Sequence, residues 1–162
     1  METAASRLDK IDYQLLNLLQ FNAKVTNAYL SQKIGLSQAA IFERVRKLEN
    51  YGFIKNYYAQ LDSDKVGLGI TFFVQISLAS SKKRYVDIFL DKVNRLNEVV
   101  ECHHITGSGN FLLKVVARDL ATFQKLIMEE MSSLDEISNL ESMVVLSCVK
   151  DSKVMPLPVE AE

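Results

Sequence analysis

The sequence predicts an α+β protein in two parts, an N-terminal three-helix helix-turn-helix domain followed by a ferredoxin-like βαββαβ domain. Three observations carry this. Within Lys33–Gly52, Gly35 can take the left-handed conformation that ends one helix, Ser37 can cap the next, and Gly52 can close it. Beyond Gly52 the apolar period changes, and strand and helix signals then follow one another in the order βαββαβ. Charge is split as well: the net −1 of the 162 residues hides eight basic against five acidic residues in 1–60, and eleven against fifteen in the remainder. The basic half is where phosphates would bind. Its excess is small, so useful affinity for DNA needs two or more copies acting together.

In chain order, Asp9 is a candidate N-cap for a first helix, with Asp12 in its positive first turn. Ile11, Leu15, Leu18 and Leu19 continue at helical spacing to Phe21, and Asn22-Ala23-Lys24 breaks the pattern. Thr26 can cap a second helix through Tyr29, Leu30, Lys33 and Ile34. The third runs from Gln38 to Tyr51 and puts Ile41, Val45 and Leu48 on one stripe, with Ala39, Glu43, Arg46 and Lys47 on the opposite side. Small, polar and basic residues facing outward suit a helix lying in a major groove.

Phe53 to Leu61 is rich in aromatics and reads as an extended strand. Asp62-Ser63-Asp64 and Gly67-Leu68-Gly69 read as a turn and a hinge, so the expected organisation is 1–61 for the helix-turn-helix with its linker strand and 62–69 for the hinge. The second domain, 70–150, is expected to hold strands at Ile70–Leu78, Val99–Thr106, Phe111–Ala117 and Leu140–Val149. Its helices are expected at Lys82–Asn94 and Leu120–Ser133, the latter capped by Asp119. Residues 151–162, with Pro156 and Pro158, read as an extended or disordered tail. Phe72, Val74 and Ile76 alternate with Phe73 and Gln75, and Leu113 and Val115 with Leu112 and Val116. The sheet face away from the helices is therefore partly apolar and calls for a cover, which a second copy supplies most simply.

No stretch approaches the roughly 18 apolar residues of a membrane helix, and residues 1–12 lack the basic-then-apolar order of a secretory signal. A cytoplasmic protein without membrane contact is expected. Cys102, His103 and His104 invite a metal, but strand neighbours point to opposite faces, so no metal is expected. Cys102 and Cys148, assigned to the second and fourth strands, fall on opposite sheet edges and are expected as reduced thiols. There is no nucleophile elbow and no phosphate-binding glycine loop, and no cofactor is implied.

The chain resembles the Lrp/AsnC family, the leucine-responsive and asparagine-responsive ("feast/famine") transcription regulators, from Leu8 to about Lys150. The resemblance is carried by four stretches. These are Leu8-Asp9-x-x-Asp12; Gly35-Leu36-Ser37 followed by Glu43-Arg44-Val45-Arg46-Lys47-Leu48-Glu49; Gly52-Phe53-Ile54; and Glu101-Cys102-His103 leading to Thr106-Gly107 and Phe111-Leu112-Leu113-Lys114. It implies a winged-type helix-turn-helix joined by a strand to a ligand-sensing domain. It also implies homodimers that commonly assemble into octamers as tetramers of dimers, and small effectors, usually amino acids, bound in clefts between dimers. The family's DNA-contacting positions carry over onto Ser37, Gln38, Ala39, Glu43, Arg44, Arg46 and Lys47.

Within that set, Ser37 suits a phosphate at a helix N-terminus, Gln38 and Arg46 suit base edges, and Arg44 and Lys47 suit phosphates. Glu43 can read cytosine or orient an arginine. Ordinary surface ion pairs, Glu43 with Lys47 or Arg44 with Glu49, worth about 0.3 kcal/mol, are the competing reading. The family's effector site falls on Thr106, Gly107, Ser108, Gly109 and Asn110, with Met143 and Val144. Many relatives have Gly-Asp-x-Asp at the hairpin, whereas this chain has Gly-Ser-Gly-Asn, so the carboxylates that would meet an ammonium group are missing. Gly107–Asn110 can equally be a plain hairpin turn. Two alternatives stay open: a DNA-organising protein with no effector, and a ferredoxin-like dimeric enzyme using His104 and Tyr85.

Overall fold

The computed structural model describes residues 8–158. The expectations about a signal at residues 1–7 and about the acidic end of the tail at 159–162 lie outside the described residues. The described chain divides into two compact units, one running to Ala59 and resuming at Lys150, the other spanning Gln60–Val149.

The first unit is built on α1 (Lys10–Phe21), α2 (Asn27–Ile34) and α3 (Gln38–Asn50). Each begins at a side-chain cap that satisfies an otherwise orphaned amide. Asp9 and Asp12 form a capping box, the Asp12 N–H donating to Asp9 Oδ1 at 2.8 Å and the Asp9 N–H to Asp12 Oδ2 at 3.2 Å. Thr26 Oγ1 accepts from the Tyr29 N–H and Ser37 Oγ from the Ala40 N–H. Gly35 ends α2 with φ 81, a left-handed angle costly for any residue with a Cβ. Leu15, Leu19, Leu30, Ile41 and Leu48 form the core, each contributing roughly 1.5–3 kcal/mol of transfer free energy.

The strand expected over Phe53–Leu61 is absent. Gly52 turns the chain, Phe53 and Ile54 return their amides to the Leu48 carbonyl and pack on the head core, and the rest joins no sheet. Within 62–69, the Val66, Gly67 and Leu68 amides donate to the Asp62, Asp64 and Ser63 carbonyls. The tail carries no regular structure, yet it is anchored. Gln20 Nε2 donates to the Met155 carbonyl and the Met155 N–H donates to Gln20 Oε1, both at 2.9 Å, so one side-chain amide reads the tail backbone as a strand neighbour would.

The second unit is a four-stranded antiparallel sheet in the order β2-β3-β1-β4, with β1 at Ile70–Leu78, β2 at Val99–His104, β3 at Phe111–Ala117 and β4 at Ile137–Val144. On one face Phe72, Val74 and Ile76 of β1 and Phe111, Leu113 and Val115 of β3 are buried against α4 (Lys83–Val93) and α5 (Leu120–Leu126). Phe72 stacks on Phe123 with ring centroids 3.5 Å apart.

Three elements differ from their expected bounds by two residues or more. β4 starts earlier, because a bulge at Ser77/Leu78 brings Ile137 into register, and it stops at Val144, after which the Val145 N–H makes a last bond to the Thr71 carbonyl at 2.9 Å. β2 stops at His104, two residues short of Thr106. The helix expected to Ser133 changes at Ile127–Met131 into one wide π turn, closed by the Ser132 N–H on the Ile127 carbonyl at 2.8 Å, which sets Met131 into the core.

Neither α4 nor α5 packs on the opposite sheet face. Register places Glu101, Lys114, Phe73 and Met143 in one row across the four strands, and His103, Leu112, Gln75 and Glu141 in the next. This face mixes apolar side chains with an ion pair, Lys114 Nζ to Glu101 Oε1 at 3.3 Å.

Candidate nucleic-acid interface

The same periodicity that buries Ile41 and Leu48 in the head turns the other side of α3 outward. Gln38, Ala39, Glu43, Arg46 and Lys47 are all exposed. Among the described residues, Glu43, Arg46 and Lys47 make no ion pair, so the Glu43–Lys47 surface pair is not formed. Lys47 Nζ instead lies 5.8 Å from the centroid of the Tyr51 ring, a cation–π contact. These residues and Asn50 line a shallow depression on the helix surface. Ser37 spends its hydroxyl as an acceptor on the cap, at 3.2 Å from the Ala40 nitrogen.

Arg44 is placed differently. Its Nη1 donates to Asp9 Oδ2 at 2.7 Å and to Asp12 Oδ1 at 2.8 Å, tying α3 to the start of α1. The Asp12 side chain is only 6% exposed, and a carboxylate that dry requires a cation beside it. The hydrogen bond to Asp9, and then that to Asp12, hold the Arg44 guanidinium more firmly protonated, against the cost of its partial burial. For Asp9, burial pushes the carboxyl up, but the Asp12 amide, the Arg44 guanidinium and the Ile11 amide together hold it below its ordinary value. The guanidinium expected on a phosphate is thus occupied within the head. Glu49 is not its partner; Glu49 Oε1 accepts from the Tyr57 hydroxyl at 2.9 Å. Burial, and then Glu49, push Tyr57 up to about 12.

Sequence reasoning missed Phe42. It is 51% exposed and is not part of the head's apolar cluster, although the neighbouring Val45 is. The signal was available: counted at about 100° per residue, Phe42 falls on the outward side with Ala39 and Arg46.

At the second candidate site, Gly107 takes φ 123, a glycine conformation that opens the hairpin. Several of its polar groups are bonded within the chain. Ser108 Oγ accepts from Gln75 Nε2 at 2.9 Å, and the Ser108 carbonyl accepts from Ser77 Oγ at 3.1 Å. Asn110 Oδ1 accepts from the Leu78 N–H at 2.7 Å, and the Asn110 N–H donates to the Ile76 carbonyl at 2.7 Å. Gly109 sits against Gln75, where a Cβ would fall 2.5 Å from Cγ. Thr106 links β2 to the turn. Met143 and Val144 stand on β4 opposite Phe73 and Phe72, two strands across and several residues along the sheet from the hairpin, roughly 15–20 Å from it. Alternation turns Met143 to the open face and Val144 away from it. A single chain therefore does not bring these two parts into one pocket.

His103 and His104 do turn to opposite sides. His103 Nε2 lies 3.0 Å from Glu101 Oε2, and the His104 ring stacks on Phe111 at 4.9 Å. Cys102 and Cys148 are both free and exposed, and Cys148 lies beyond the end of β4 rather than on it. Partial burial pushes the Cys102 thiol up.

Residues 8–55 match the family described as winged helix-turn-helix DNA-binding, and residues 71–155 match the Lrp/AsnC ligand binding domain. A glutamate uptake regulatory protein of Zymomonas mobilis is 37% identical over 152 residues, covering 94% of this chain and 92% of that protein. The leucine-responsive regulatory protein of Escherichia coli is 35% identical over 145 residues, covering 90% and 88%. Among solved structures, a transcriptional regulator–L-Met complex from Neisseria meningitidis superimposes with a TM-score of 0.88 at 30% identity, covering 92% of this chain and 96% of that one.

Proposed function

The chain belongs to the Lrp/AsnC family of transcriptional regulators, and from that premise we propose that it reads duplex DNA through the outward face of α3 while a small metabolite, an amino acid first of all, tunes its affinity or assembly. The observation that carries the DNA half is the contrast between Arg44, consumed by Asp9 and Asp12, and Arg46 and Lys47, exposed and without an ion pair among the described residues. Gln38 and Arg46 are the base readers, Lys47 and the start of α3 at Ser37 meet phosphates, Ala39 permits close approach, and Glu43 reads cytosine or orients Arg46. Arg44 is a structural tie. The protein acts in the cytoplasm as a homodimer that assembles further as a tetramer of dimers, and the uncovered sheet face around Phe73, Leu112 and Met143 is the surface a second copy covers.

The effector half rests on the L-Met bound by one structural neighbour and on the regulatory role in the glutamate relative's name. The binding region is Thr106–Asn110 with Met143 and Val144, completed between copies. A second reading is favoured by the hairpin's internal hydrogen bonds: a DNA-organising protein of the same fold with no effector. The enzyme alternative is dropped, because the family consists of regulators.

Titration of the full-length protein against duplex DNA across a salt series tests the first half. Affinity should fall steeply with ionic strength, and a protein that ignores DNA at low salt refutes the reading. Light scattering at micromolar concentration should show at least a dimer, dissociated by Phe73→Glu. Thermal-shift screening of amino acids separates the two readings, and a complete lack of response favours the effector-free one.

A further inference from the structure

We propose that Phe42 is a base-reading residue whose ring meets the 5-methyl group of a thymine in the major groove, between the contacts made by Gln38 and Arg46. The inference rests on the DNA-binding reading above. On α3, Phe42 lies about 40° from Gln38 on one side and about 40° from Arg46 on the other, so the three follow at i, i+4 and i+8 with about 6 Å of rise between neighbours. They form one stripe, with the aromatic in the middle.

The ring does nothing visible for the fold. It is 51% exposed and lies outside the apolar cluster that holds Leu15, Leu30, Ile41 and Leu48. An aromatic left in water on a polar helix face gains its burial free energy only from a partner. Its surroundings say which partner. Arg46, one turn on along the same stripe, makes no ion pair among the described residues, so the occupant carries negative charge beside the ring. The stripe is also continuous with the outward face of α3 proposed above to read DNA, within the residues that match the winged helix-turn-helix family. The apolar feature that a major groove presents to a helix is the thymine methyl. Arginine and glutamine supply hydrogen-bonding specificity on either side, and Phe42 supplies the discrimination between thymine and cytosine that neither of them makes.

The test removes the methyl and nothing else. Selection from random duplexes with the full-length protein gives the preferred site, each thymine of which is then replaced singly by deoxyuridine. Fluorescence anisotropy at fixed salt should find a position in each half-site where replacement weakens binding about fourfold, the ~0.8 kcal/mol of one methyl-sized group. Phe42→Ala should bind the thymine and deoxyuridine duplexes equally, while Phe42→Leu, still apolar, should keep part of the difference. Equal affinity of the unmodified protein for all substituted duplexes overturns the proposal, and so does an unchanged penalty in Phe42→Ala. A change of assembly mass in Phe42→Ala with the methyl penalty intact would assign the ring to a protein contact instead. Failure to select or bind any duplex would overturn the DNA reading itself, a result distinct from specific binding that ignores the methyl.

Discussion

The outward face of α3 and the hairpin Gly107–Asn110 hold their polar groups in opposite ways. On α3 the charged ends of Glu43, Arg46 and Lys47 stand in water without ion pairs among the described residues. At the hairpin, Ser108 and Asn110 are engaged with Gln75, Ser77, Leu78 and Ile76. A solvated charge loses little by waiting, so a helix can present an open binding face in a single free chain. A tight turn has to satisfy its own backbone, so a ligand arriving there must replace bonds already made. On the function proposed, the α3 face is already formed in one copy, whereas the effector region would be finished by rearrangement or by another copy.

The largest effect should separate two arginines on one helix. Arg46→Ala should cost about 10- to 100-fold in affinity for the preferred duplex and relax base preference, the equivalent of roughly 1–3 kcal/mol for a bidentate base contact, with the melting temperature unchanged. Arg44→Ala should do the reverse at the level of the fold. Leaving the Asp12 carboxylate without its cation should destabilise the head by about 2 kcal/mol, or roughly 10 °C in melting for a unit this small. Calorimetry and binding run on both variants decide it. An Arg44→Ala protein that melts normally but loses a phosphate's worth of salt dependence would return Arg44 to the interface.

Next in size is Asn110→Ala, which leaves the Leu78 N–H without its acceptor and should cost about 1–2 kcal/mol of stability whether or not any effector exists. Asn110→Asp keeps an acceptor at the same place, so it should melt close to the parent. If both changes were neutral in melting yet altered a metabolite's effect, the hairpin would be a binding element and not a self-satisfied turn.

Features that local physics decides were legible in the sequence. Asp9, Thr26, Ser37 and Asp119 cap where their spacing indicated, Gly35 adopts the left-handed angle, and β1 and β3 begin and end as the alternation predicts. What failed depends on distant partners. The Phe53–Leu61 stretch has strand composition but joins no sheet, β4 takes its start from a bulge opposite Ser77/Leu78, and the π turn at Ile127–Met131 answers to core packing rather than to propensity. The anchoring of Met155 by Gln20, 135 positions away, has no local signal at all. The same division runs through the site: Arg46 and Lys47 could be placed from helical angle alone, whereas Arg44 could not, because its role is set by Asp12 on another helix. Phe42 was legible and overlooked, since an apolar residue is counted by default toward the core.

A smaller effect, a gain, would sharpen the comparison from the hairpin side. Ser108→Asp supplies one carboxylate of the Gly-Asp-x-Asp pattern that the family resemblance implies at this hairpin. It also loses the Oγ acceptor of the Gln75 amide while offering a charged one in its place. In thermal-shift titrations the variant should respond to amino acids more strongly than the parent, and to carboxylates lacking an amino group no more than the parent does. An equal response to both would mean that the hairpin does not read the ammonium.

The smallest effect concerns Glu49, the one acid on α3 that is already occupied, here by the Tyr57 hydroxyl. With Tyr57 pushed up to about 12 in the folded chain, first by burial and then by Glu49, the folded state holds this proton between pH 10 and 12 when the unfolded chain has released it. That contribution to stability is therefore complete below about pH 10 and is lost as pH climbs toward 12. Tyrosinate absorbance should show one group appearing only near pH 12, and Tyr57→Phe should delete that group while leaving DNA affinity at neutral pH within about twofold. The late group surviving in Tyr57→Phe would assign it to another tyrosine. A large loss of DNA binding in that variant would mean that the segment after α3 positions the recognition face, and that the open face of α3 is less independent of its neighbours than its free charges suggest.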